Sequence, residues 1–137
     1  MSARPLLLMV NAFIGTASYK ALYQQLGFDV MVEYSERKAI SLIKKTPPDV
    51  IVADFVHQAD FRDRLSNLES LLASAARMPA TRILVFYDPA HQDMLDKVRQ
   101  RMRIDVAMTL PVQEAELAAA LTVWSKDASQ PSLTSLT

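Results

Sequence analysis

Short continuous apolar runs alternate along the chain with longer stretches whose apolar residues recur every three or four positions. Residues 6–10, Leu-Leu-Leu-Met-Val, form an unbroken apolar run, the pattern of a strand covered on both faces. Residues 17–26 then read as a helix, with Thr16 or Ser18 placed to cap its start and Gly27 just past its end. Residues 30–32 make a second short strand. Ser35 caps a second helix, in which Ala39, Ile40 and Ile43 share a face, and Pro47 and Pro48 stop it. Residues 49–54 are a third strand that ends on Asp54. Phe61, Leu65, Leu68, Leu72 and Ala75 then form the clearest helical stripe of the chain.

After Pro79, residues 83–87 make a fourth strand. Asp88 and Pro89 supply an N-cap and a first-turn proline for a helix running to about Met102. Residues 104–108 read as a short fifth strand, and a last helix spans about 113–124, burying Leu117, Ala120, Leu121 and Trp124. From Asp127 onward the chain is polar and unpatterned, so the division expected is a domain over 1–126 and a tail or linker over 127–137. Five strands alternating with five helices predict a doubly wound parallel α/β sheet, two helices on one face and three on the other. In such sheets the chemistry gathers at the carboxyl ends of the strands.

Composition narrows the possibilities. Half of the 137 residues are hydrophobic, enough for a core, and no cysteine is present, which excludes a disulfide scaffold and thiolate metal sites. Fifteen basic and fifteen acidic residues cancel, so the domain has no overall charge with which to hold nucleic acid or anionic lipid. Two histidines, His57 and His91, do not make a zinc site. Arg4 ahead of the first apolar run faintly imitates a secretion signal, but the run is too short and reads as a buried strand. A cytoplasmic protein without a membrane or nucleic-acid partner is expected. With Gly15 and Gly27 as the only glycines, no glycine-rich phosphate loop exists.

The segment Pro48-Asp49-Val50-Ile51-Val52-Ala53-Asp54 resembles the third strand of response-regulator receiver (CheY-like) domains, in which a closing aspartate accepts a phosphoryl group. Met108-Thr109-Leu110-Pro111-Val112, followed by Glu116 and Leu117, resembles the fifth-strand segment of the same family, where a lysine precedes the proline. The resemblance covers roughly residues 5–125 and implies a flavodoxin-like sheet in the order 2-1-3-4-5. It also implies a cis peptide before Pro111 and a place in two-component signal transduction.

The resemblance equally marks what is missing. Receivers hold Mg²⁺ with two acidic residues after the first strand, where this chain has Asn11 and Ala12, a poor set for a hard cation. The hydroxyl that bonds the phosphoryl group is replaced by Tyr87, the lysine by Leu110 and the aromatic switch residue by Ala107. Only Asp54, the candidate phosphoacceptor, matches.

The favoured reading is therefore a degenerate pseudo-receiver: a non-enzymatic interaction module without a metal cofactor, binding a signalling protein or a second copy of itself. Its expected surface is the face of the fourth helix, fifth strand and fifth helix. There Lys97, Arg99, Arg101 and Arg103, read as a basic run on the fourth helix, lie near Glu114 and Glu116. Two alternatives stand beside it. One is an active phosphorelay receiver phosphorylated on Asp54. The other is a small-molecule-binding domain with Asn11, Tyr87 and Asp54 lining a pocket.

Overall fold

In the computed structural model, residues 4–10, 19–55 and 68–129 are described. They form five strands, β1 (Leu6–Val10), β2 (Asp29–Glu33), β3 (Val50–Asp54), β4 (Arg82–Tyr87) and β5 (Val106–Thr109). The helices are α1 (Lys20–Gln25), α2 (Glu36–Lys45), α3 (Glu69–Ala75), α4 (Gln92–Arg99) and α5 (Glu114–Ser129). The strands make one parallel sheet, as the alternation of elements predicts, in the order β2-β1-β3-β4-β5 that the resemblance implies.

Each central strand is buried on both faces because its alternate residues feed two separate cores. Leu7, Met9, Val50, Val52, Leu84 and Phe86 pack with Tyr23 and Phe28, and with Leu117 and Leu121 of α5. Leu8, Val10, Ile51, Ala53, Ile83 and Val85 face the other way. They meet Ala39 and Ile43 of α2, Leu71, Leu72 and Ala75 of α3, and Leu95 and Val98 of α4. Two helices thus cover one face and three the other.

Side chains secure the ends of these elements. The Ser35 hydroxyl accepts from Lys38 N at 3.3 Å at the start of α2, and Asp88 Oδ1 accepts from Ala90 N at 2.8 Å. Arg4 belongs to this bracing: its guanidinium donates to the carbonyls of Gln24, Gly27 and Phe28, satisfying groups that the end of α1 leaves open. Asp49 Oδ2 accepts from Leu6 N at 2.8 Å and locks the start of β3 to β1.

The boundaries depart from the sequence reading in three places. Asp88-Pro89 opens a 3₁₀ turn, Pro89–His91, before α4 begins. α4 ends at Arg99 rather than near Met102, because the amides of Arg101 and Met102 both turn back to Val98 O and tighten the chain. α5 continues through Ser129, three residues into the expected tail, and the sequence holds no helix breaker before Pro131. The first turns expected for the helices at 17–26 and 61–75 lie partly outside the described residues. The Leu110-Pro111 peptide is cis, as the resemblance implies. Among the described residues, no helix is long and apolar enough to cross a membrane.

Gly27 ends α1 with φ +103°, a backbone that side-chain-bearing residues adopt only with strain. A Cβ there meets nothing nearer than Ser125 Oγ at 3.5 Å, an ordinary contact, so the cost of substitution is conformational. Gly27→Ala should therefore lower unfolding free energy by about 1–2 kcal/mol in urea titration, without altering the denaturant dependence.

Candidate functional site

The carboxyl end of β3 places Asp54 at the middle of the sheet. Phe55 N donates to Phe86 O at 2.8 Å, which holds this strand end against β4. Asp54 is opposite Phe86 in the register and is only 3% exposed. Side chains alternate along β3, so Asp54 shares the face of Val50 and Val52, the α1–α5 side.

That side is aromatic. Tyr19 packs edge-on against Phe86 with ring centroids 6.2 Å apart, and against Tyr23 at 6.5 Å. Tyr23 is fully buried, and its hydroxyl has no hydrogen-bond partner among the described residues. Burial, foremost, then the neighbouring Tyr19 and the charge of Asp54, hold the Tyr23 hydroxyl well above the ordinary tyrosine range. The sequence reading did not single out these two tyrosines. Their four-residue spacing, which brings them together on one helical face, was the signal available.

The other candidate positions are built into packing. Tyr87 is 7% exposed and joins the core under α2, α3 and α4. Its hydroxyl donates to Gln92 Oε1 at 2.6 Å, and Gln92 Nε2 donates on to Asp96 Oδ1 at 2.9 Å. Ala107 is half-buried against the same core. Leu110 packs into the opposite core, beside α1 and α5, while its amide donates to Tyr87 O at 2.8 Å. The structure therefore sends Tyr87 and Leu110 to opposite faces of the sheet. Asn11, Ala12 and His57 lie outside the described residues. Magnesium requires several hard oxygen donors around one point, and among the described residues no three acidic or histidine side chains gather into a metal site.

The basic run is divided. Lys97 and Arg99 lie exposed on α4, whereas Arg101 and Arg103 follow its end, which corrects their placement on that helix. Arg103 is a brace: it donates to Thr81 O at 2.8 Å and Met78 O at 3.2 Å, and pairs with Asp105 at 2.6 Å. Asp105 also accepts from Ile83 N at 2.8 Å. Arg99 donates to Ile104 O at 3.1 Å. Arg101, Glu114 and Glu116 are exposed.

No protein-family profile and no curated protein matches the chain. Solved structures do. A response regulator receiver domain protein from Clostridium thermocellum superposes with a TM-score of 0.69 at 14% identity, covering 90% of this chain and 96% of that one. The signal receiver domain of a signal transduction histidine kinase from Syntrophus aciditrophicus gives 0.68 at 16% identity, covering 92% and 93%. The receiver domain of a sensor histidine kinase from Pseudomonas aeruginosa PAO1, which carries a magnesium ion in its active site cleft, gives 0.67 at 18%, covering 90% and 99%. At these identities the likeness establishes the fold.

A buried hydroxyl without a partner is destabilising, so Tyr23→Phe should raise unfolding free energy by about 1 kcal/mol in urea titration at neutral pH. Because the folded-state pKa of Tyr23 is raised, its contribution is complete below the unfolded value of 10.0 and is lost as pH rises beyond it. Between pH 10 and 11, a slope of up to about 1.4 kcal/mol per pH unit should be present in the wild type and diminished in Tyr23→Phe.

Proposed function

We propose that this chain is a receiver-type signalling domain that works as a cytoplasmic protein-interaction module without magnesium-dependent aspartyl phosphorylation. The observation carrying this reading is the commitment of Tyr87 and Leu110. In a receiver those two positions supply a hydroxyl and an ammonium to the phosphoryl oxygens. Here one is bonded to Gln92 and the other is a half-buried aliphatic side chain packed against an apolar core.

The charge argument agrees. A phosphoryl group on Asp54 replaces one negative charge by about two, in a buried place beside Phe86 and within electrostatic reach of Tyr23. Phosphoryl transfer relies on cations and fixed donors aimed at those oxygens, and it loses most of its driving force without them. Asn11 and Ala12, in place of the acidic pair, reduce metal affinity further. Signalling output then comes from a surface held in one state or biased by a partner. Lys97, Arg99 and Arg101, with Glu114 and Glu116, offer the charged part of that surface, while Arg103 contributes to stability instead.

The reading is tested by incubating the protein with acetyl phosphate and millimolar magnesium, then measuring intact mass and phosphate-affinity gel mobility. No Asp54-dependent adduct should form. A stoichiometric adduct in the wild type that disappears in Asp54→Asn would sink the reading and establish an active phosphoacceptor.

A further inference from the structure

Helix α5 differs from its neighbours in what it turns to solvent. The exposed positions of α2 include Arg37, Lys38, Lys44 and Lys45, and those of α4 include Asp93, Asp96, Lys97 and Arg99. On α5, the exposed residues between Glu116 and Lys126 are Ala119 and Val123. Val123 is 57% exposed, and among the described residues only Tyr34 is another large hydrophobic side chain so open to water. The inner positions Leu117 and Leu121 are fully buried, so between Glu116 and Lys126 the helix is apolar on its outer side as well as its inner one. A helix of that kind expects a second covering layer.

Glu116, Ala119, Val123 and Lys126 follow one another at steps of three, four and three residues. That spacing makes a single narrow stripe, the seam along which two helices pack. We propose that this stripe is a contact between two copies of the chain, with α5 lying antiparallel to α5 of the second copy across a two-fold axis. The proposal rests on the reading of the domain as an interaction module and names the partner.

The register follows from symmetry. In an antiparallel pair about a two-fold axis, each contact occurs twice, and all facing positions are equidistant from one level. Placing Ala119 opposite Val123 puts that level at Leu121. Placing Glu116 opposite Lys126 puts it at the same residue. One arrangement therefore fits the small side chain to the large one and each carboxylate to an ammonium. A slide of one turn removes the charge match, and a parallel pair sets like charges side by side. The antiparallel sense also brings the positive end of each helix dipole beside the negative end of the other. Alanine at the seam lets the two axes approach closely, and Thr122 keeps its hydroxyl turned inward on Ala118 O at 2.7 Å. One pair of helices buries less than the roughly 800 Å² per partner of a standard interface, so the dimer is weak and concentration-dependent.

Sedimentation velocity of the whole chain, from low to high micromolar concentration, tests the proposal. The wild type should shift from monomer to dimer across this range. Val123→Lys should stay monomeric with an unchanged thermal midpoint, since the residue is exposed in the monomer. Glu116→Lys and Lys126→Glu should each weaken association by about tenfold, and the double exchange should restore it. The chain has no cysteine. A mixture of Ala119→Cys and Val123→Cys should therefore form crossed disulfides in preference to either self-pair. A wild type that remains monomeric throughout, or a double exchange no better than the single ones, overturns the α5 pairing. Either result leaves the interaction-module reading standing, because that reading falls only to Asp54 phosphorylation.

Discussion

The three central strands β1, β3 and β4 are packed from both sides, and every other feature of the domain is arranged around that requirement. A strand covered on two faces has no side free for water, so its residues must be apolar throughout or find partners at their ends. In β3 all five residues are buried, including the closing carboxylate. The helices are held because alternate residues of these strands present apolar side chains to two separate layers. The polar groups near the sheet margins are handled by specific side chains: Asp49 against Leu6 N, Asp105 against Ile83 N, and Arg103 across the carbonyls of Met78 and Thr81.

The candidate site inherits its character from the same packing. Asp54 sits at the center of the strand ends, where doubly wound sheets place their chemistry. On the α1 side its charge is felt by the buried Tyr23 hydroxyl. Tyr87 illustrates how a site position becomes a core position: its ring fills space under α4, and its hydroxyl finds Gln92 at the first turn of that helix. Leu110 does the same on the other face. Once both side chains are absorbed into cores, changing them back would cost packing as well as chemistry. This couples the proposed loss of phosphoryl transfer to the stability of the sheet.

The helices of this domain offer two kinds of surface. α4 presents charges, one of which, Arg99, is also engaged with the backbone at Ile104. α5 presents apolar residues between charges of opposite sign. The first kind steers encounters and fixes orientation, and the second supplies the burial that makes a contact persist.

How much of this was legible in the sequence depends on the range of the interactions involved. The strand-and-helix alternation, the Ser35 and Asp88 caps, the stop at Pro47 and Pro48 and the turn at Gly27 rest on local periodicity and local backbone preference, and one stretch of chain displays them. The placement of Asp54 at a strand end followed from the same patterns. Other outcomes needed distant partners. Arg103 read as part of a charged surface because its carbonyl partners on Met78 and Thr81 lie more than twenty residues away. α4 stopped early, and α5 ran on, because helix ends depend on what the neighbouring turns can bond. Tyr19 and Tyr23 became neighbours of Phe86 and Asp54 only when α1 was laid across the sheet. Local order was written along the chain; which side chains meet was decided by the packing of two layers against one sheet, since contact in space depends on topology and not on separation in sequence.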